Sequence, residues 1–283
     1  MAAERLLEVR ELRKSYPVPA GAFGRAPQDS SRSAMAVAGV SFSLDRGETL
    51  GIVGESCCGK TTLARMLLRL LEPDAGEIQF RGQDWLGARG ADLRALRRRM
   101  QMVFQDPVAS LNPRMRVGTI VGEPLAIHEP RCSRDDRRAR VAAMLEAVGL
   151  GQDAIGRYPH EFSGGQRQRI GIARALILRP ELVVADEPVS ALDVSVGAQI
   201  LELLDRLRRD FSLTLILISH SLPVVAQLAS RVAVMQAGRF VESGPAEQVL
   251  HAPQHPYTQA LMAAVPRIPE STAPPAVQWN PPE

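Results

Sequence analysis

The stretch GIVGESCCGKTT, residues 51–62, decides the fold. It contains the pattern G-x-x-x-x-G-K-T, which is typical of loops whose backbone N–H groups bind the phosphates of a nucleotide. The apolar residues 50–53 predict a short buried strand before the loop. The apolar spacing of TTLARMLLRLLEP, residues 61–73, predicts a helix that ends at Pro73. Strand, glycine-bounded loop and helix in this order predict a phosphate site at the start of the helix.

Other short apolar segments also have strand length. Apolar alternation or short apolar runs predict strands at residues 5–16, 37–44, 182–185 and 213–218, with a turn at 45–47. Helical segments precede the last two of these strands. The pattern therefore predicts an α/β protein with a mainly parallel sheet and helices on both of its faces.

Three further segments have a different character. Helical patterns dominate residues 106–162, where Ser133 is a candidate N-cap and Asp136 its capping-box partner. Residues 17–34 are rich in Pro, Gly and Ser, and we predict a long exposed loop there. Residues 266–283 are rich in proline, and we predict a disordered tail.

Composition excludes several classes of protein. The 283 residues are 45% hydrophobic and 23% charged, and no apolar run approaches the length of a membrane-spanning helix. The N-terminus lacks the apolar core of a secretory signal. Three cysteines, two of them adjacent, form no disulfide framework. We therefore expect a chain that stays in the reducing cytosol.

The basic residues support two inferences, one from the arginine runs and one from the scarcity of lysine. The net charge is +3, but the arginine runs at residues 97–99 and 134–140 lie within helical patterns. We predict solvated helix faces there and no nucleic-acid partner. Lysine occurs only at Lys14 and Lys60, although arginine is frequent. A compact ammonium directly after Gly59 fits a tight backbone loop better than a planar guanidinium does.

Two acidic residues, Asp186 and Glu187, follow the predicted strand at residues 182–185. A carboxylate at the end of a buried strand can reach the Mg²⁺ of a bound nucleotide, and its neighbour can orient or deprotonate an attacking water. Alone, such a pair is more often a solvated turn. More than a hundred residues after a phosphate loop, it indicates a P-loop ATPase.

A second candidate phosphate site begins at Ser163, in the sequence FSGGQRQRI of residues 162–170. A Ser-Gly-Gly at the start of a helix offers N–H groups, a hydroxyl and a favourable helix dipole to an anion. One nucleotide site does not need a second such helix. Two chains that face each other do, if each gives its Ser-Gly-Gly to the ATP of the other.

With these motifs in this order, the chain resembles the ATP-binding subunits of ABC transporters over nearly its whole length. The resemblance implies a P-loop NTPase (RecA-like) core with a mainly parallel sheet, an antiparallel β subdomain and an inserted α-helical subdomain. It implies an ATPase core at residues 1–105 and 163–250, a helical signature subdomain at 106–162 and a C-terminal extension at 251–283. The implied activity is Mg-ATP hydrolysis coupled to transport.

The resemblance also implies roles for individual residues. Four are expected to be catalytic: Lys60, Gln105, Glu187 and His220. The Mg²⁺ ligands are expected to be Thr61, Gln105 and Asp186. Contacts to nucleotide are expected from Tyr16, which would stack on adenine, from the Walker A residues Gly54, Glu55, Ser56, Cys57, Cys58, Gly59, Lys60, Thr61 and Thr62, from Gln105 and Asp186, from the signature residues Ser163, Gly164, Gly165 and Gln166, and from Asp193 of the D-loop.

Within that family the chain is similar to the dipeptide/oligopeptide importers. The segments that carry this similarity are residues 105–113 (QDPVASLNP), 185–195 (ADEPVSALDVS) and 255–261 (HPYTQAL), with the insertion PVPAGAFGRAP at 17–27. The insertion favours the second of the two ATPases that such importers usually carry. Some relatives hold an iron–sulfur cluster in a C-terminal region with cysteines; here no cysteine follows Cys132, so we expect none.

The resemblance implies partners as well. These are a second ATPase subunit, identical or different, two membrane permease subunits, and indirectly an extracytoplasmic solute-binding protein. The chain is expected at the cytoplasmic face of the cell membrane. Peptides are the expected cargo, and nickel or other small solutes stay open.

The chain departs from the family pattern in two places. Cys57 stands where the family has glycine, and a left-handed backbone there would cost about 1–2 kcal/mol. Thiols beside Lys60 and a helix N-terminus are expected to have lowered pKa values, which allows redox sensitivity; a tolerated substitution is the alternative. Ser221 follows His220 where the family usually has aspartate.

Two other functions stay open on the sequence. One is a soluble ABC ATPase that acts on nucleic acid or ribosomes, although such relatives usually carry long coiled-coil insertions or tandem ATPase units. The other is a subunit that binds ATP without hydrolysing it and only completes the site of a partner. Intact Glu187 and His220 favour hydrolysis, while Cys57 favours the second alternative.

Overall fold

The computed structural model describes residues 4–17 and 33–264. The strands are β1 (Arg5–Pro17), β2 (Ser33–Asp45), β3 (Thr49–Val53), β4 (Ala75–Phe80), β5 (Gln83–Asp84), β6 (Met100–Val103), β7 (Leu182–Asp186), β8 (Thr214–Ser219), β9 (Arg231–Gln236) and β10 (Arg239–Pro245). The helices are α1 (Lys60–Leu67), α2 (Gly90–Arg99), α3 (Pro107–Ser110), α4 (Val117–His128), α5 (Arg134–Ala147), α6 (Gly164–Leu176), α7 (Val194–Asp210), α8 (Leu222–Leu228), α9 (Ala246–His251) and α10 (Pro256–Ala263).

Two sheets organise these elements. The first has the order β10-β9-β3-β8-β7-β6, and its strands from β9 to β6 pair in parallel. The second has the order β2-β1-β4-β5 and is antiparallel. The predicted fold class, with its mainly parallel sheet, antiparallel sheet and helical part, is confirmed. The predicted domain boundaries stay a prediction.

Successive side chains of the central strands face opposite sides of the sheet, which divides the core into two layers. In β7, Val183 and Ala185 face one layer, while Leu182 and Val184 face the other. The first layer also contains side chains of α4 to α8, and the second contains those of the antiparallel sheet and α1. Because both faces are covered, the central strands are apolar throughout, as parallel strands in α/β proteins are.

The predicted loop at residues 17–34 is shorter than expected at both ends. Pro17 and Ser33 pair across β1 and β2, so the two strands extend into the segment that we assigned to the loop. Residues 18–32 lie outside the described part of the chain, as does the predicted disordered tail at 266–283.

The helix predicted to reach Pro73 ends earlier, at Leu67. Arg69 adopts φ 48, its N–H donates to the carbonyl of Met66, and the N–H of Leu70 donates to the carbonyl of Arg65. This pair of hydrogen bonds around a left-handed residue is a Schellman turn. It stops the helix although the apolar spacing continues to Leu71.

The predicted cap of α5 is half confirmed. Ser133 is the N-cap, and its hydroxyl accepts a hydrogen bond from the N–H of Asp136. The Asp136 carboxylate does not complete the capping box; it accepts a hydrogen bond from the Cys132 thiol at 2.8 Å. Within the described residues, no helix is both long and apolar enough to cross a membrane.

Candidate active site

The phosphate loop lies between β3 and α1, as predicted. A Cβ on Gly59, at φ 111, would lie 2.1 Å from the carbonyl oxygen of Ala36, and one on Gly54 would lie 2.1 Å from that of Met235. Both positions therefore require glycine, because no side-chain carbon fits so close to a backbone oxygen. Ser56 lies between them in the exposed part of the loop, and Thr62 in the first turn of α1.

Lys60 lies inside the loop and is only 4% exposed. Its Nζ donates hydrogen bonds of 2.7 Å to the carbonyl oxygens of Gly54 and Glu55. The ammonium is thus held by backbone oxygens at the start of α1, where a cation and the helix N-terminus both favour an anion.

The two adjacent cysteines differ in conformation and environment. Cys57 is exposed and adopts φ 65, the left-handed region that favours glycine. Cys58 is partly buried, and its Sγ lies 3.7 Å from Nζ of Lys60. Burial raises the pKa of the Cys58 thiol and outweighs the opposing effect of Lys60. The prediction of a lowered pKa is therefore wrong for Cys58, because desolvation disfavours the thiolate.

Thr61 and Asp186 meet at the edge of the parallel sheet. The hydroxyl of Thr61 lies 3.3 Å from Oδ1 of Asp186, which ends β7 and is 3% exposed. Burial raises the pKa of Asp186, the Thr61 hydrogen bond lowers it, and Glu187 raises it further. A buried carboxylate next to a hydroxyl is a set of hard oxygen donors, which fits Mg²⁺.

Three further predicted residues converge directly after Asp186. Oε2 of Glu187 lies 3.2 Å from Nε2 of Gln105 and 3.1 Å from Nδ1 of His220. Glu187 itself adopts φ 45, a strained conformation that is concentrated at functional sites. The N–H of Ser221, which stands where the family pattern has aspartate, donates to the hydroxyl of Ser219.

The D-loop lies beside this carboxylate. The hydroxyl of Ser190 donates to the carbonyl of Glu187, and Asp193 caps α7 by accepting from the N–H of Val196. These contacts lower the pKa of Asp193, first through the Val196 N–H and then through the Ser195 hydroxyl. A cavity of about 340 Å³ adjoins Glu187, Ser190, Asp193 and His220.

The Ser-Gly-Gly segment forms the start of α6. Ser163 accepts from the N–H of Gln166, and the Gln166 side chain accepts from the N–H of Ser163, a complete capping box. Gly164 and Gly165 occupy the first turn, where helix geometry leaves N–H groups without intrahelical partners. Their neighbours within the chain are Leu192 and Val196, not the chain's own Lys60.

Tyr16 lies on β1 opposite Ala34 and is 41% exposed. The carbonyl of Ala36, two residues further along β2, lies against Gly59 of the phosphate loop. The strand pair therefore runs beside the loop and carries an exposed aromatic ring.

Two site residues were missed by the sequence analysis. Gln168 is 1% exposed, and its Nε2 donates to the carbonyl of Phe104 at 3.5 Å, which links α6 to the residue before Gln105. The hydroxyl of Tyr257 accepts a hydrogen bond of 3.1 Å from the N–H of Glu55 in the phosphate loop. Gln168 stands in the quoted signature segment and Tyr257 in the quoted HPYTQAL segment, but neither pattern indicates the partner.

A family model described as ABC transporter matches residues 37–190, more than half of the chain. The chain belongs to the ABC transporter family. A second model, described as oligopeptide/dipeptide transporter, C-terminal region, matches residues 241–282. The predicted family and its peptide-importer branch are thereby confirmed, and this ABC subunit binds and hydrolyses ATP.

Several relatives of this ABC subunit cover most of its length. It is 51% identical to the oligopeptide transport ATP-binding protein OppF of Salmonella typhimurium, over 92% of this chain and 78% of that protein. It is 50% identical to the dipeptide transport ATP-binding protein DppF of Haemophilus influenzae, over 93% of this chain and 79% of that protein. The dimeric ATP-binding cassette MJ0796, bound to ADP and Pi, matches with a TM-score of 0.73 and 26% identity, over 85% of this chain and 99% of that one.

Proposed function

We propose that this subunit is one of two ATPases that power an importer of peptides, and that the residues described above form its half of each nucleotide site. The observation that carries the proposal is the position of Glu187, whose carboxylate lies between Gln105 and His220 at the sheet edge that also holds Lys60 and Thr61. This is the arrangement that water attack on a γ-phosphate requires.

In this site each side chain has a distinct task. Lys60 and His220 stabilise the charge on the γ-phosphate, while Glu187 orients the attacking water and accepts its proton. Tyr16 stacks on the adenine. Backbone N–H groups within residues 56–62 bind the phosphates together with the positive end of α1.

Thr61, Asp186 and Gln105 would hold the Mg²⁺ of the nucleotide. When bound there, Mg²⁺ would offset part of the negative charge of the nucleotide phosphates. The raised pKa of the buried Asp186 supports this role, because a carboxylate that burial destabilises gains most from a nearby cation. Within residues 4–17 and 33–264, no cluster of three or more His, Cys, Asp or Glu side chains competes for a metal.

The second half of each site comes from a partner ATPase. Ser163, Gly164 and Gly165 lie at the start of α6 and contact the D-loop region rather than the chain's own Lys60. Facing a second subunit, this helix start would bind the γ-phosphate of the ATP on the opposite Walker A loop. The dimeric form of the similar MJ0796 cassette supports this arrangement. The proposed partner is another ABC ATPase, either identical to this chain or different from it.

An exposed groove suits the membrane permease. A cavity of about 330 Å³ between α4, β6 and the end of α1 has a mixed lining, with Arg97, Glu123 and Arg174 beside apolar residues. Its apolar side chains include Leu70, Phe104 and Ile127, which are 56%, 38% and 49% exposed. Phe104 precedes Gln105, and its carbonyl accepts from Gln168 of α6. A permease helix in this groove would therefore contact the segment that moves with Gln105 when ATP binds.

The position in the cell and the cargo follow from these assignments. The subunit would lie at the cytoplasmic face of the cell membrane, held there by two permease subunits. Peptides are the proposed cargo because the relatives at about 50% identity are peptide transport proteins. Delivery of the peptide falls to an extracytoplasmic solute-binding protein, with which this subunit has no direct contact.

Glu187→Gln tests the catalytic assignment. We expect Mg-ATP binding to persist and hydrolysis to fall at least about a hundredfold, because the water loses its base while the phosphate contacts stay. ATP should then trap the ATPase dimer, which size-exclusion chromatography detects. Lys60→Ala is the control that should lose binding itself. Hydrolysis that survives in Glu187→Gln would contradict the role of Glu187.

The cargo is tested with the permeases that copurify with this subunit. Reconstituted in vesicles with the ATPase and ATP inside and the solute-binding protein outside, the complex should accumulate a labelled short peptide, and Glu187→Gln should abolish this accumulation. Nickel ions serve as the comparison cargo. Uptake of nickel without uptake of peptide would contradict the peptide assignment while leaving the ATPase assignment intact.

A further inference from the structure

The C-terminal part of the chain contacts the phosphate loop directly. The hydroxyl of Tyr257, in α10, accepts a hydrogen bond of 3.1 Å from the backbone N–H of Glu55. Glu55 directly follows Gly54, where the loop begins, and lies 202 residues before Tyr257. Tyr257 falls within residues 241–282, the part matched by the transporter C-terminal region model.

Tyr257 is held in this position by a chain of contacts. Its own N–H donates to Nδ1 of His255, the N-cap of α10. The Glu242 carboxylate of β10 accepts from the N–H of Gln254 at 2.8 Å and from that of His255 at 3.1 Å. Burial works to raise the pKa of Glu242, but the Gln254 N–H, the Thr258 side chain and the His255 N–H together outweigh it and lower the pKa, so the carboxylate is ionised at neutral pH.

Both backbone polar groups of Glu55 are thereby hydrogen-bonded. Its N–H bonds to Tyr257, and its carbonyl oxygen accepts a 2.7 Å hydrogen bond from Nζ of Lys60. Two residues later the backbone turns left-handed at Cys57, a strained position on an exposed part of the loop. An anchor from outside the loop limits the conformations that this segment can adopt.

We propose that Tyr257 is a positioning residue for the phosphate loop, and that α10 controls ATP affinity by holding Glu55 and through it the Lys60 ammonium. The inference rests on the proposed role of this loop in binding ATP phosphates. Displacement of α10 from the body of the subunit would release Glu55, loosen the loop and weaken ATP binding. The C-terminal extension thus acts on the nucleotide site of its own chain.

Tyr257→Phe isolates the hydrogen bond, because the ring and its packing against the core stay. We expect the Kd and KM for Mg-ATP to rise about two- to tenfold, the equivalent of one neutral hydrogen bond, with kcat within about twofold of wild type. Hydrogen exchange of the amides at residues 54–60 should become faster. A purely structural role for Tyr257 would lower Tm without this split between KM and kcat.

Gln259→Ala is the matched control on the same helix. The Gln259 side chain donates to the carbonyl of Pro253 at 3.0 Å, so its loss also removes one hydrogen bond near the start of α10 but none to the loop. It should leave Kd and loop exchange unchanged. If Gln259→Ala and Tyr257→Phe have equal effects, general loosening of α10 explains both, and the inference is wrong.

A double-mutant cycle with Glu242→Gln checks the chain of contacts. If Glu242 acts on ATP affinity through Tyr257, the two substitutions together should raise Kd no more than the larger single effect. Fully additive effects would overturn that path.

Lys60→Ala, measured in parallel, separates the proposed ATP site from the proposed role of Tyr257. If Lys60→Ala binds Mg-ATP like wild type, the site assignment fails; if it loses binding while Tyr257→Phe matches wild type, only the role of Tyr257 fails.

Discussion

At the scale of single residues, Cys57 stores strain where the nucleotide binds. A left-handed backbone costs a non-glycine residue about 1–2 kcal/mol, and Cys57 adopts φ 65. Glycine would relieve this strain. It also makes the unfolded chain more flexible, which reduces the gain in the free energy of unfolding by about 0.5–1 kcal/mol. The net gain in folding stability is therefore at most about 1.5 kcal/mol.

Relief of this strain acts on folding, and it changes the Kd only to the extent that the loop differs between the free and the ATP-bound subunit. Cys57→Gly should therefore raise Tm and lower the Kd for Mg-ATP by less than about tenfold. Isothermal titration calorimetry measures the change. Ser212→Gly is the control, because Ser212 is also a small exposed residue with positive φ, at 52, and lies outside the loop. It should raise Tm without a change in Kd. A gain in affinity far above tenfold would mean that wild-type Cys57 disables the site and that this subunit mainly completes the site of a partner.

Single residues also show where sequence reasoning stops. The motifs gave the identities of Lys60, Asp186 and Glu187, because phosphate loops and strand-end carboxylates have fixed spacing. They gave the wrong direction for the pKa of Cys58, since proximity to a cation is visible in sequence and desolvation is not. Tyr257 was equally out of reach, because its partner lies 202 residues away and offers only a backbone N–H.

At the scale of elements, the start of α6 depends on close packing against α7. A Cβ on Gly165 would lie 2.4 Å from Cγ1 of Val196, so a side chain there must turn the Val196 side chain away or shift α6 from α7. A shift of α6 would move Ser163 and its capping box. The chain's own Walker A loop does not share these contacts. A substitution in α6 can therefore affect the proposed contribution to the opposite site without affecting ATP binding by the same chain.

Gly165→Ala should therefore abolish most ATP hydrolysis and leave the Kd for Mg-ATP of the isolated subunit within about twofold. Gly171→Ala is a matched control in the same helix, where an added Cβ meets no atom within 4 Å. It should keep hydrolysis and raise Tm, because alanine favours helix over glycine by about 1 kcal/mol. Loss of ATP binding in Gly165→Ala would contradict the assignment of α6 to the opposite site.

Element boundaries were less predictable than element types. The apolar spacing after Lys60 continues beyond Leu67, but the Schellman turn at Arg69 ends α1 there. A left-handed arginine leaves no sequence signal of the kind that glycine does. Likewise, Pro17 and Ser33 pair as strand residues although their composition is that of a loop, because the neighbouring strands extend the ladder.

At the scale of the whole molecule, the proposed nucleotide site is shared between two chains, so that one chain alone would hold two incomplete sites. Lys60 bonds to its own loop, while the Ser163 segment packs beside the D-loop. Motif order alone predicts such sharing, since a second phosphate-binding helix start has no use in an isolated subunit. Which surfaces meet in the dimer depends on tertiary geometry that the motifs do not encode.

If the wild-type chain hydrolyses ATP by itself, a mixture of two inactive variants tests whether the site is shared between subunits. Lys60→Ala and Ser163→Arg should each be inactive alone, because every site in either dimer is damaged. In a mixed dimer both defects fall in one site and the other is intact. An equimolar mixture should then recover about a quarter of the wild-type rate, since random pairing makes half of the dimers mixed and one of their two sites active.

Recovery of phosphate release in the mixture places Ser163 at the site of the opposite subunit, whereas a mixture as inactive as its components would show that Ser163 acts within its own chain. If the wild-type chain is silent alone, its functional partner is a different ATPase, and the same pair of substitutions must be divided between the two.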